Sequence, residues 1–305
     1  MQSENKVGTI DLGTNTCLLL ISEYKEKKII PIVDMQEMPR LGKDVDKSRT
    51  IAVDAFIRVK DIFQKYKEIA EENNVSEIHA YGTSALRDAI NRDEFVDYIK
   101  SETGISISII PGKEEAELSF NGALIDFKDK NKYAVLDIGG GSTEISFKKG
   151  ADLISKSIDI GSVRLKEKFF SESYSTDNLY KAEQFILNSF VSLAYLNFSD
   201  LELVGVAGTV TVLSALNMGV HTFEVEKINN SILHLGEIER LFEKLASLSN
   251  EEIEKLGDFM KGRSDIITAG VFILMQFMRH FKFDKIIAST HGLRYGAALK
   301  IFNEL

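Results

Sequence analysis

Two short segments share a pattern in which an apolar run ends in Asp-x-Gly. They are Ile10-Asp11-Leu12-Gly13-Thr14-Asn15-Thr16 and Leu136-Asp137-Ile138-Gly139-Gly140-Gly141-Ser142-Thr143-Glu144. A turn built from small residues aims backbone N–H groups into one small space. With no Cβ in the way, phosphate oxygens approach those donors closely. Thr14, Asn15, Thr16, Ser142 and Thr143 add side-chain donors. Either segment alone also reads as an ordinary hairpin, since Gly and Asn are turn residues. Together they point to phosphate, because plain hairpins have no reason to repeat the aspartate. An aspartate ending a buried strand costs energy unless it binds something, commonly a hydrated Mg²⁺. Glu144 follows Asp137 by seven residues on a chain that folds back, so both carboxylates can reach one metal. The alternative for Glu144 is a solvated strand residue. A third small-residue turn, Ala207-Gly208-Thr209, follows the apolar run 201–206.

These turns need elements to hold them. Strand-like segments at 6–12, 17–24 and 28–36 come first. A stretch with helical spacing follows at 51–72, through Val53, Phe56, Ile57, Val59, Ile62, Phe63, Tyr66 and Ile69. A strand at 77–81, a helix at 93–101, a strand at 105–110 and a helix at 113–125 complete the first half. The strand pattern restarts at 133–137. A shift of 126 residues lays Ile10-Asp11-Leu12-Gly13 on Leu136-Asp137-Ile138-Gly139, which is an internal repeat. Helices are expected at 161–170, 176–194 and 265–280, a strand at 285–288, and a last helix from 293. Alternating strands and helices give an α/β or mixed-sheet protein. Two similar halves imply two similar domains with a junction near 126–132, and a ligand cleft between domains is the ordinary place for a site.

Composition narrows the class. The 305 residues carry 37 basic and 46 acidic side chains, a formal charge of −9, which argues against bulk nucleic-acid binding but permits a small anionic substrate. A single cysteine, Cys17, excludes an internal disulfide and a cysteine-based zinc site, and its apolar surroundings place it in the core. The five histidines are scattered. The apolar run 266–278 is too short to span a bilayer, and the polar start shows no signal peptide, so a cytoplasmic protein with no membrane partner is expected. The Phe and Met residues of 272–281 follow helical spacing and read as core.

The matched turns resemble the phosphate-binding elements of the actin, hexokinase and chaperone-ATPase superfamily. Within it the sequence resembles the exopolyphosphatase/guanosine pentaphosphate phosphohydrolase (Ppx/GppA) family. Beside the two turns, the resemblance is carried by Arg40-Leu41-Gly42, Gly82-Thr83-Ser84-Ala85-Leu86-Arg87 and Ile110-Pro111-Gly112-Lys113-Glu114-Glu115-Ala116. Ala207-Gly208-Thr209, Gly262-Arg263-Ser264-Asp265-Ile266-Ile267 and Gly292-Leu293-Arg294-Tyr295-Gly296 continue it in family order. Gly112-Lys113 and Thr290-His291 depart modestly from the pattern. The chain looks like the short, two-domain type. The resemblance implies two ribonuclease-H-like domains, each a five-stranded mixed sheet flanked by helices, at 1–127 and 128–292. The helix at 293–305 is expected to pack back on the first.

The implied activity is Mg²⁺-assisted release of terminal phosphate from polyphosphate or guanosine pentaphosphate. Glu115 matches the glutamate assigned as general base, and Arg87 is placed to pair with a phosphate. Asp11, Gly13, Thr14, Asn15, Thr16, Gly139, Gly140, Gly141, Ser142, Thr143, Gly208 and Thr209 are expected to grip phosphate, and Asp137 and Glu144 to hold the metal. Read without the resemblance, Glu115 is equally an acidic residue favoured in a first helical turn. Arg40, Arg263 and Arg294 are weaker phosphate candidates, and a homodimer is plausible. Two other readings use the same loops: an ATP-dependent small-molecule kinase, and a non-catalytic sensor of polyphosphate or a nucleotide alarmone.

Overall fold

The computed structural model describes residues 6–75 and 77–304. The polar start at 1–5 and Leu305, the end of the expected last helix, lie outside the described residues. The chain divides into two compact units, Met1–Ile125 with His291–Leu305, and Asp126–Thr290.

The first unit opens with β1 (Lys6–Leu12), β2 (Cys17–Lys25) and β3 (Lys28–Glu37). It continues through α1 (Val45–Ser48), α2 (Val53–Glu72), β4 (Ile78–Gly82), α3 (Ser84–Asp88), α4 (Arg92–Thr103), β5 (Ile107–Ile109) and α5 (Gly112–Ala123). The strands lie in the order β3-β2-β1-β4-β5, with β1/β2 and β2/β3 antiparallel and β1/β4 and β4/β5 parallel. β1 is central and covered on both faces, which is why residues 7–10 are all buried without alternation. α2 buries Phe56, Val59, Phe63 and Tyr66 of the expected stripe, while Val53 and Ile57 of that set are exposed. Cys17 is fully buried, and Tyr66 donates its phenolic hydrogen to the Cys17 carbonyl at 2.8 Å.

The second unit repeats this plan. Its elements are β6 (Tyr133–Ile138), β7 (Thr143–Lys149), β8 (Asp152–Ile158), α6 (Ser162–Phe169), α7 (Thr176–Phe190), β9 (Glu202–Val206), α8 (Ala207–Met218), α9 (Val225–Ile228), β10 (Ile232–His234), α10 (Leu235–Ser247), α11 (Asn250–Glu254), α12 (Ile267–Phe281) and β11 (Lys285–Ala288). The sheet order is β10-β11-β9-β6-β7-β8. Read from the other edge, its first five strands copy the first sheet in order and direction. The 126-residue repeat is thus a repeat of topology, and each unit has the ribonuclease-H-like arrangement of a mixed sheet flanked by helices.

The second sheet has six strands, a correction to the expected five. The extra strand, β10, pairs antiparallel with β11. It is three residues long and merges into α10, so it leaves no period in the sequence. α12 is buried through its first twelve residues, and Phe272, Phe277 and Met278 belong to the core.

The last helix, α13 (Leu293–Glu304), returns to the first unit. Tyr295, Ala298 and Phe302 close a small core with Val7 and Leu20. Arg294 grips Asp34 of β3 through two bonds of 2.9 Å, and the Tyr295 hydroxyl donates to the same carboxylate at 2.8 Å. Arg294 is therefore a structural tie. α13 crosses α5 at glycines: a Cβ on Gly296 would lie 1.9 Å from the Leu118 carbonyl oxygen, and one on Gly122 would lie 2.1 Å from that of Gly292.

Candidate active site

In the first unit, β1 delivers Asp11 to its C-terminal end. The Gly13 N–H donates to the Thr16 carbonyl at 2.8 Å and closes the turn, while Leu12 and Cys17 face each other across the hairpin. Thr14 and Asn15 are nearly buried. The segment after β3 lies over this turn. The Gly42 N–H donates to Thr14 O at 2.8 Å and the Arg40 N–H to Asn15 O at 3.1 Å. A Cβ on Gly42 would meet the Thr14 methyl at 2.2 Å, so the Arg40-Leu41-Gly42 motif is first of all a clamp on the turn. The Asn15 side chain donates to the Met38 sulfur at 3.4 Å.

Two further elements end near each other in the same unit. α3 follows β4 and carries Arg87, while α5 follows β5 and carries Glu115 in its first turn. Arg87 Nη1 donates to Glu115 Oε2 at 2.5 Å and to the Ile110 carbonyl at 3.1 Å. Glu115 is 8% exposed, a carboxylate taken out of water and held by a guanidinium. A surface first-turn glutamate held only by the helix dipole would not look like this.

In the second unit, the Gly139 N–H donates to Ser142 O at 3.0 Å, the counterpart of the Gly13–Thr16 bond. The first turn of α6 packs against this loop. Ser162 N–H donates to Gly139 O, and Val163 and Arg164 N–H both donate to Gly140 O, at 2.9, 2.9 and 3.1 Å. Arg164 Nε reaches Gly141 O at 2.9 Å. The loop's carbonyls are thereby occupied by α6. A Cβ on Gly161 would lie 2.3 Å from the Gly140 backbone, so the approach requires glycine there. Thr143 departs from its expected role: its hydroxyl donates to Ile160 O at 2.6 Å, so that donor is spent pinning the loop to the chain after β8.

Asp137 and Glu144 are cross-strand partners in β6 and β7. Glu144 is 1% exposed, which corrects the reading of it as a solvated strand residue. Its Oε1 accepts a hydrogen bond of 2.6 Å from Ser157, its neighbour on β8. Like charges set directly opposite destabilise a sheet, and a cation between them offsets that cost. No group of three or more His, Cys, Asp or Glu is gathered around a metal position among the described residues. Two carboxylates suit Mg²⁺, which keeps several waters and completes its shell from a phosphate substrate. Ser157 carries no motif in the sequence. Strand parity opposite Glu144 would have found it, had β8 and its register been known.

The turn after β9 starts α8. Ala207 adopts a left-handed φ of 64°, unusual for a residue with a side chain. Arg263 lies directly over Gly208, where a Cβ would sit 2.5 Å from Nη1. Arg263 is 5% exposed, and among the described residues its Nε has no hydrogen-bond partner. Burial alone pulls its pKa down to about 10. Thr209 is buried against Gly270 of α12. His291 packs against Tyr295 with ring centroids 4.2 Å apart and planes tilted by 37°.

Each unit thus presents a small-residue turn at the end of a central strand, and acidic and basic groups stand by these turns as phosphate chemistry requires. Such a fold places the chain in the ribonuclease-H-like class. The model of the Ppx/GppA phosphatase family matches residues 20–304, and the chain belongs to that family. The chain is 34% identical over 307 residues to a bifunctional 3-dehydroquinate synthase/phosphatase of Fusobacterium nucleatum; the match covers 96% of this chain but 46% of that protein, so the chain spans about half its length. It is 29% identical to exopolyphosphatase 2 of Mycobacterium tuberculosis, over 97% of this chain and 98% of the relative. The crystal structure of an exopolyphosphatase from Cytophaga hutchinsonii superposes with a TM-score of 0.91 at 26% identity, covering 99% of both chains. No helix among the described residues is long and apolar enough to cross a membrane.

Proposed function

We propose that the chain is a phosphohydrolase that releases terminal orthophosphate from inorganic polyphosphate or guanosine pentaphosphate. The observation that carries this reading is the part-buried Arg87–Glu115 pair, with Glu115 itself buried, at the ends of two strand-to-helix connections. In the resting pair the Arg87 guanidinium engages the Glu115 carboxylate. A substrate phosphate competes with Glu115 for the fork of Arg87. Glu115 then orients a water whose oxygen attacks the terminal phosphorus. The water proton passes to the Glu115 carboxylate, and the P–O anhydride bond breaks. The bridging oxygen leaves with the bonding electrons on the shortened chain. The turns at 13–16 and 139–142 hold phosphate oxygens, and Arg263 at the Gly208 turn supplies a buried positive charge. When bound by Asp137 and Glu144, Mg²⁺ supplies neutralisation of charge on the phosphates. Phosphate release from short and long polyphosphate, guanosine pentaphosphate and ATP, with and without Mg²⁺, tests the reading. An absence of release from all four overturns it.

Two expectations follow for the second unit. Glu144→Gln raises the half-saturating Mg²⁺ concentration most, and Ser157→Ala raises it about 10- to 100-fold, the usual effect of removing a group that orients a ligand. Direct Mn²⁺ titration checks both without turnover, and unchanged affinity in Glu144→Gln removes the metal assignment. Arg263→Met removes a buried charge and keeps the bulk. Its melting temperature stays level or rises, while KM rises about 10- to 100-fold, the worth of a lost charge-assisted hydrogen bond of about 1.5–3 kcal/mol. A marked loss of stability with unchanged KM would make Arg263 structural.

A further inference from the structure

The far end of the second unit's sheet collects lysines. Lys128, Lys130 and Lys132 precede or open β6, and Lys148 and Lys149 end β7. The register that sets Ala134 against Phe147, carried on by one and two residues, brings Tyr133 to Lys148 and Lys132 to Lys149. A T-shaped contact between Phe127 and Tyr133 at 4.6 Å fixes the segment between them. Glu202 of β9 stands opposite Tyr133 at this end and is paired with Lys285 at 3.3 Å. Asp129 lies 3.9 Å from Lys132 and caps the short turn of 130–132, and Asp152 faces Lys149 across the hairpin. Lys130 and Lys148 are half-buried and have no ion pair among the described residues. Burial, and after it the charge of Lys148, lowers the pKa of Lys130.

Half-buried cations that repel each other cost stability unless an anion joins them. Their occurrence in a chain of net charge −9 makes a local positive field rather than a general one. We propose that Lys130 and Lys148, flanked by Lys128, Lys132 and Lys149, form a second anion site that takes successive phosphates of a phosphate chain. The site lies the length of β6 from the Gly139 turn, roughly 17 Å at about 3.3 Å per residue. It is separate from the catalytic groups, and binding there does not depend on hydrolysis. Several ammonium groups gathered at one end of a sheet suit a chain of phosphates better than the single cluster on a nucleotide.

The experiment measures binding of long polyphosphate, short polyphosphate, guanosine pentaphosphate and single-stranded DNA to the whole chain without Mg²⁺, as a function of salt. The variants are Lys130→Glu with Lys148→Glu, and the milder Lys130→Gln with Lys148→Gln. In the charge-reversed variant Kd for long polyphosphate rises about tenfold or more, and the dependence of log Kd on log salt becomes shallower, as fewer counterions are released. The neutral variant shows a smaller rise, a melting temperature at or above wild type, and unchanged phosphate release from the shortest substrate. Equal Kd for long polyphosphate in wild type and both variants overturns the site. Equally tight DNA binding that falls in parallel also overturns it, as a surface for any polyanion. A chain that binds polyphosphate here but hydrolyses nothing retains the site and loses the phosphohydrolase reading.

Discussion

Glu115→Gln lowers kcat for phosphate release about 10²- to 10⁴-fold, the usual contribution of a positioned general base. Glutamine keeps the volume and one acceptor oxygen but cannot take the proton of the attacking water. KM moves the other way or stays level, because Arg87 Nη1 no longer faces a full negative charge at 2.5 Å and binds substrate phosphate more readily. That split separates loss of a base from loss of a binding group. Because glutamine keeps the volume and an oxygen to which Arg87 Nη1 can donate, the isosteric change leaves the fold intact. Arg87→Ala gives the opposite pattern: KM rises and the carboxylate is stranded without its counter-charge. A Glu115→Gln enzyme with kcat within about threefold of wild type, far short of that contribution, would exclude Glu115 as the base and return it to the role of a first-turn acidic residue.

Much of the layout was legible from residues. The Asp-x-Gly turn and its copy 126 residues on marked two equivalent strand ends. The structure turns that copy into five strands of matching order and the same closing bond, Gly13 to Thr16 and Gly139 to Ser142. Helices with a strong apolar stripe, such as α2, were plain from their period. What escaped depended on register or on contacts distant in sequence. β10 is too short to show alternation. Thr143 and Ser142 are indistinguishable as donors until Ile160 O is seen to accept from one of them. Glu144 is in phase with polar Ser146 and Lys148 and alternates with Ile145 and Phe147, yet it lies in a strand paired on both sides, so sheet position sets its burial. Arg263 gains its meaning only beside Gly208, fifty-five residues earlier in the chain. Its motif placed it as a weak candidate, and its burial distinguishes it from the tied Arg294.

Gly296→Ala tests whether the α5–α13 crossing sets the position of Glu115. In an isolated helix the change would favour folding by about 1 kcal/mol, since glycine is a poor helix former. Here the new methyl would sit 1.9 Å from Leu118 O and 2.7 Å from Leu118 C, far inside van der Waals contact. Those atoms are backbone, so no rotamer change relieves the clash, and the helices must move apart by more than an ångström. Overpacking of this kind costs about 1–3 kcal/mol and sometimes more, which outweighs the propensity gain. The expected result is a melting temperature lower by several degrees. Leu118 lies one turn after Glu115, so the displaced helix also carries the carboxylate away from Arg87. A misplacement near 1 Å costs about 10²-fold in rate. Gly236→Ala serves as the control: it is also helical and has nothing within 4 Å of the added methyl, so it leaves kcat unchanged and stability level or higher. If Gly296→Ala matched wild type in both melting temperature and kcat, the crossing would be more yielding than its backbone contact requires, and Glu115 would be held by its own first-turn contacts to Arg87 and Pro111. If stability fell while kcat held, α5 would pivot about its first turn, where the Glu115 N–H donates to Pro111 O at 3.0 Å. A fall in both ties the last helix of the chain to the chemistry through two glycines and one turn of α5.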